Sequence, residues 1–97
     1  MSKTYEEHVA RLALLLWLWL DRKFRVEGKR EYSSYELWNV VGLKRRTSVF
    51  SALALLQELD VLKKEKRPAV YIYTGKEPPE RVEDVLRMFK QRSRRAS

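Results

Sequence analysis

The sequence predicts a mainly α-helical domain with a small β-hairpin, on three observations. Apolar residues recur at helical spacing within residues 9–20, 49–59 and 82–89. The capping-box spacing, Ser or Thr followed three residues later by Glu, occurs at Thr4/Glu7 and again at Ser33/Glu36. One stretch, Val70 to Tyr73, is built from β-favouring residues and follows a second extended run across Lys66, Arg67 and Pro68. With 97 residues, 44% hydrophobic and 35% charged, the chain has material for one packed domain spanning 1–97, and its composition is unlike that of a disordered segment.

The first helix is expected to start at the Thr4/Glu7 box and to run to Asp21 or Arg22. Val9, Leu12, Ala13, Leu16 and Leu20 share one face, and Leu15, Trp17, Leu18 and Trp19 make the second half apolar nearly all round. Residues 23–32 are polar, contain Gly28 and read as a connection with room for a short strand at 24–26. The Ser33/Glu36 box opens a short second helix through Leu37, Trp38, Val40 and Val41, which Gly42 can end. A third helix begins near 46–48 and ends near Asp60, with Val49, Ala52, Leu53, Leu56 and Leu59 on its inner face. Residues 61–66 and 69–74 form the hairpin. After the turn material TGKEPPE a last helix starts at Pro79 or Glu80, puts Val82, Val85, Leu86 and Phe89 on one face, and frays from Arg92.

Composition removes several classes of function. There is no cysteine and a single histidine, His8, so neither disulfides nor a thiolate or His-rich metal site can be assembled, and no metal or other cofactor is expected. No nucleophile–base pair, carboxylate dyad or phosphate-cradling glycine loop can be named, which points away from an enzyme. The apolar run LALLLWLWL is far shorter than the roughly 20 residues that span a bilayer, and Glu6 and Glu7 precede it where a secretory signal would be basic. An intracellular, cytoplasmic protein is the expectation. The abundance of Lys, Arg and Glu with few amides matches compositions described for thermophilic proteins.

The chain carries 21 Lys and Arg against 13 Asp and Glu, a formal charge of +8 that favours a polyanionic partner. The excess is uneven: residues 1–43 hold seven basic and six acidic groups, 44–67 hold seven and three, and 68–97 hold seven and four. The middle segment contains Lys44, Arg45, Arg46, Thr47 and Ser48 at the start of the third helix, Ser51 one turn on, and Lys64, Lys66 and Arg67 on the hairpin.

The order helix, short helix, turn, basic-started helix and hairpin resembles the winged helix-turn-helix transcription factors of the MarR and ArsR type. RRTSVFSALALLQELDVLKKEKRPAVYIYT carries the likeness, over roughly 32–74, although Asp60 stands where the exit turn often has glycine. The resemblance implies a three-helix core with the helix-turn-helix at 33–60, a wing at 61–74 and an added amphipathic C-terminal helix at 79–92. It also implies double-stranded DNA as partner, read by the N-terminal turn of the third helix and touched by the wing. Ser33 and Ser34 are weaker candidates for phosphate contact, with a plain cap as the ordinary alternative.

Helix-turn-helix proteins commonly act as homodimers, and two apolar surfaces are expected to serve here: Leu16, Trp17, Trp19 and Leu20 of the first helix, and Val82, Val85, Leu86 and Phe89 of the last. The competing reading is a winged helix used as a protein-interaction module within a transcription or replication assembly. RNA is disfavoured because no aromatic residue is interleaved with Lys44–Arg46.

Overall fold

In the computed structural model, residues 2–42, 46–65 and 70–96 are described, with side chains for 6–42, 48–65 and 70–91. Four helices and a three-stranded antiparallel sheet follow in the order α1 (Ser2–Glu27), β1 (Glu31–Ser33), α2 (Ser34–Val41), α3 (Arg46–Glu58), β2 (Leu62–Glu65), β3 (Val70–Tyr73) and α4 (Val82–Ala96). The sheet order is β1-β3-β2, with Tyr32 opposite Tyr71 on one side of β3 and Lys64 opposite Tyr71 on the other.

Helix α1 is the spine, packing chiefly on α3 and next on α4. It begins at Ser2, so Thr4 lies inside it, and it ends at Glu27, about one and a half turns beyond the expected Asp21 or Arg22. The predicted strand at 24–26 is helix. Phe24 and Val26 favoured a strand by type, but Asp21–Arg25 and Lys23–Glu27 are i,i+4 ion pairs at 2.8 and 2.9 Å that support these turns. Gly28 stops the helix at φ 71°, its N–H donating to the Phe24 carbonyl at 2.8 Å.

The capping box at Ser33 is formed. The Ser33 hydroxyl accepts from the Glu36 amide at 3.2 Å and the Ser33 amide donates to Glu36 Oε1 at 3.0 Å. Glu36 is also paired with Lys29, whose ammonium, together with the Ser33 amide, holds the carboxyl below its ordinary range. Replacing Ser33 by Ala is expected to cost about 1 kcal/mol. Urea unfolding of S33A beside wild type measures it, and a loss within error of zero would show that the box is not stabilising.

The end of α3 is a Schellman turn built on a residue other than glycine. Asp60 sits at φ 63°, the Val61 amide donates to Leu56 O at 2.9 Å, and the Asp60 amide donates to Gln57 O at 3.1 Å. Buried Val61 and Leu56 provide the apolar contact that accompanies this motif. Aspartate tolerates left-handed backbone better than most residues, which is why the turn survives without glycine. Thr74, just after β3, closes it, its amide donating to Val61 O at 3.0 Å, and Lys76 Nζ donates to the Leu59 carbonyl at 2.9 Å.

The core joins α1, α3 and the inner face of the sheet. Trp17, Leu16, Leu20, Leu37, Leu53, Leu56, Tyr32 and Tyr73 are all within 1% of full burial. Helix α4 starts at Val82, after the predicted Pro79 or Glu80, continues to Ala96 where fraying was expected from Arg92, and contributes Val85 to the core.

Candidate nucleic-acid interface

Short connections deliver the sequence-predicted contact residues to two places. Gly42 ends α2 at φ 101°, and α3 starts at Arg46. Lys44 and Arg45 lie outside the described residues, while Arg46 and Thr47 occupy the first two positions of α3, in the turn whose free amides and positive dipole end favour an anion. Ser48 and Ser51 follow on the helix, both half-buried.

The rest of α3 is less suited to a phosphate backbone than its start. From Ser48 to Glu58 the helix has no Lys or Arg, and its outward residues include Phe50, 45% exposed, and exposed Ala54 and Glu58. Phe50 meets Trp38 edge-on, with ring centroids 5.1 Å apart. The positive charge available to a polyanion is therefore concentrated at one end of the helix.

The hairpin supplies the second place. Lys64 is exposed on β2 opposite Tyr71, with its ammonium 5.8 Å from that ring. Lys63, which the sequence reading passed over, is also exposed and faces the other side of the sheet, opposite Ile72. The alternation of an extended strand would have distinguished the two, had the strand's register been known. Lys66 and Arg67 lie outside the described residues.

The weaker phosphate candidates divide. Ser33 is engaged as the α2 cap, and Glu36 already occupies its amide, so an anion approaching there would meet a carboxylate; Ser34 is a half-buried first residue of α2. Tyr32 belongs to the core and Tyr35, 61% exposed, stands outside it.

The expected dimer residues also separate. Leu16, Trp17 and Leu20 are fully enclosed within the single chain, as is Val85, so these four serve the protomer's core and are not presented to a partner copy. Helices α3, α4 and α2 pack on α1 and cover the face that carries Leu16, Trp17 and Leu20. Trp19 is partly buried against Tyr32, with centroids 5.4 Å apart, and Val82 and Leu86 are likewise half-buried. Phe89 remains 37% exposed, and the exposed large apolar residues of α1 are Leu15, Leu18 and Val26, at 53%, 50% and 73%.

A groove of about 320 Å³ lies between the start of α1, the outer face of α3 and α4, with Ser51 of the sequence-predicted set on its wall. Among the described residues no group of His, Asp or Glu is placed to hold a metal ion, and no helix is long and apolar enough to cross a membrane. Comparison with protein-family models, curated proteins and solved structures found no match to this chain.

Proposed function

We propose that this chain is a winged helix-turn-helix protein that binds double-stranded DNA and acts as a homodimeric regulator of transcription. The observation that carries the proposal is that α3 begins at Arg46, the last residue of the basic run Lys44–Arg46 in the sequence, since the N-terminal turn of such a helix is the end that meets a major groove first. The element order α1-β1-α2-α3-β2-β3, the short step from α2 to α3 and the antiparallel β2–β3 pair support it, since a winged helix requires each of them. Lys63 and Lys64 add cations on the adjoining hairpin, where mobile charge is enough to engage a backbone. With Leu16, Trp17, Leu20 and Val85 taken by the core, a partner copy would meet Leu15 and Leu18 of α1 and Phe89 of α4, which are exposed. A body measuring 34 × 28 × 27 Å, paired about a two-fold axis, can space two such helices by about one duplex turn, roughly 34 Å.

Titration of random and selected duplexes over a salt series tests the proposal, comparing wild type with Arg45→Ala/Arg46→Ala. Wild type is expected to bind with a steep log–log salt dependence, and the double variant to bind more weakly with a slope smaller by about one per phosphate contact removed. No binding by wild type at low salt would overturn it.

The alternative, a winged helix that docks on another protein, is favoured by one observation: beyond its first turn, the outer face of α3 is apolar and acidic through Phe50, Ala54 and Glu58. Such a module would tolerate neutralisation of Arg45 and Arg46 but not a charge at Phe50.

A further inference from the structure

We infer that the outward face of α3 recognises thymine in a major groove through its C5 methyl group, with Phe50 and Ala54 as the residues that set the preference. The inference rests on the DNA-binding reading and goes beyond it to the base that is read. Past its first turn, the exposed residues of α3 are Phe50, Ala54 and Glu58, spaced four apart. Residues four apart share a helix face, so Phe50 and Ala54 present one carbon surface.

What this face lacks decides what it can read. In the major groove, Arg and Lys recognise guanine, Asn and Gln recognise adenine, acidic side chains accept from cytosine, and Ala, Thr methyl or Phe meets the thymine methyl. Between Ser48 and Glu58 there is no Lys, Arg or Asn. The single amide of that stretch, Gln57, is half-buried, and its nitrogen donates to the Leu53 carbonyl at 3.4 Å, so it is turned along its own helix. Ser48 and Ser51 are half-buried, and a hydroxyl serves any base. Thymine alone marks the groove with a hydrocarbon, and a hydrocarbon is what this face offers.

Position and charge agree with that assignment. Phe50 stands about one turn beyond Arg46, where α3 begins. Trp38 of α2 braces its ring edge-on, with centroids 5.1 Å apart and planes at 88°, which lowers the cost of ordering it against a base. From Arg46 to Ala54 the helix rises about 12 Å, comparable to a major groove about 12 Å wide. Glu58, one turn further, carries a carboxylate that phosphates repel, so the contact ends near Ala54. The cations that anchor a backbone lie elsewhere, in the basic run that ends at Arg46 and in Lys63 and Lys64 of the hairpin. Phe50 and Ala54 are about 6 Å apart along the helix, close to two base steps of about 3.4 Å, so each site should hold two nearby thymines.

Deoxyuridine substitution tests the inference without altering the protein or the charge on the DNA. A duplex selected by wild type from a random pool is remade with uracil in place of thymine, one position at a time, and titrated over the salt series. The expected result is one or two positions per site at which loss of the methyl weakens binding about fourfold, and about fifteenfold for both together, with the salt slope unchanged. Exchanging such a T·A pair for C·G and then methylating that cytosine at C5 should recover about fourfold over plain cytosine. Phe50→Ala, folded by circular dichroism, should keep the wild-type salt slope and become indifferent to uracil at one of the two positions. Ala54→Ser, which leaves the Trp38–Phe50 contact in place, should do the same at the other. A selected site without thymine, or one in which uracil binds as tightly as thymine at every position, overturns the inference and leaves the DNA-binding reading standing. The second result, joined to unchanged duplex binding by Phe50→Ala, gives this face to a protein partner instead. Wild type that binds no duplex at low salt overturns both.

Discussion

Trp17→Ala is expected to be the most damaging single substitution in the chain, lowering stability by about 3–5 kcal/mol. The indole is fully enclosed, and its Nε1–H donates to the carbonyl of Lys76 at 2.8 Å, tying the middle of α1 to the segment that follows β3. That same carbonyl lies 2.6 Å from the Tyr73 hydroxyl, and the ammonium of Lys76 caps the end of α3 through Leu59 O. Truncation therefore removes a large buried surface and loosens the point where α1, α3 and the sheet are joined. For a domain of this size such a loss lowers the melting temperature by at least about 12 °C.

Two companion variants separate packing from the hydrogen bond. Trp17→Phe keeps much of the ring volume and gives up the N–H, while the carbonyl it served still has the Tyr73 hydroxyl, so a smaller loss is expected, on the order of 1–2 kcal/mol. Trp19→Ala should also cost less than Trp17→Ala, because Trp19 is only partly buried beside Tyr32 and Lys23. Denaturant unfolding of the three variants gives the ranking. A Trp17→Ala protein less than about 1 kcal/mol below wild type would mean that the centre of the core has been misplaced.

Most elements were legible because several local rules agreed at them. At α2 a complete capping box and a terminal glycine bracket an apolar run of helical spacing, and α2 occupies Ser34–Val41 accordingly. At β3 the alternation Val70, Tyr71, Ile72, Tyr73 sends both tyrosines inward, as a period of two requires. Where the rules disagreed, the reading failed. Phe24 and Val26 suggested a strand, while ion pairs spaced by four residues supported a helix and Gly28 was the true stop. β1 has three residues and one inward side chain, Tyr32, and is defined only by its partner β3 across nearly forty positions of sequence.

The candidate interface was legible in composition and less so in position. A basic run can be found by counting, but the loss of Leu16, Trp17 and Leu20 to the core needed knowledge of what wraps α1. Likewise the apolar groove joins Val9 of α1 to Leu55 of α3 and Leu86 of α4 across more than seventy residues, and no spacing rule links them.

A second large effect is expected at high pH, where the fold should lose stability through Tyr32 and Tyr73. Both side chains are essentially inaccessible, and both hydroxyls are hydrogen-bonded: Tyr32 donates to Lys29 O at 3.0 Å, and Tyr73 lies 2.6 Å from Lys76 O and 2.9 Å from Asp21 Oδ1. Burial, aided by the charges of Glu27 and Glu36, pushes the Tyr32 hydroxyl up to about 12 from an ordinary value of 10.0. Burial likewise raises Tyr73, with the hydrogen bond to Asp21 and its charge adding to the effect, against smaller opposing contributions from Trp17 and Arg25.

In both cases the folded state holds a proton that the unfolded chain gives up near pH 10, so the unfolded state binds fewer protons above that value and stability falls as pH rises. The contribution is intact below about pH 10 and is lost as pH climbs toward the folded value, at up to about 1.4 kcal/mol per pH unit for each tyrosine. For Tyr32 the two-unit interval amounts to roughly 3 kcal/mol. Urea midpoints measured from about pH 8 to 11.5 should be level through the first part of that range and then decline. Tyr32→Phe and Tyr73→Phe should each shallow the decline, and the double variant should shallow it by the sum, since lysine titration is common to all four proteins. A double variant whose alkaline decline matches wild type would show that these hydroxyls ionise as readily folded as unfolded, and that the inner face of the sheet is open to water.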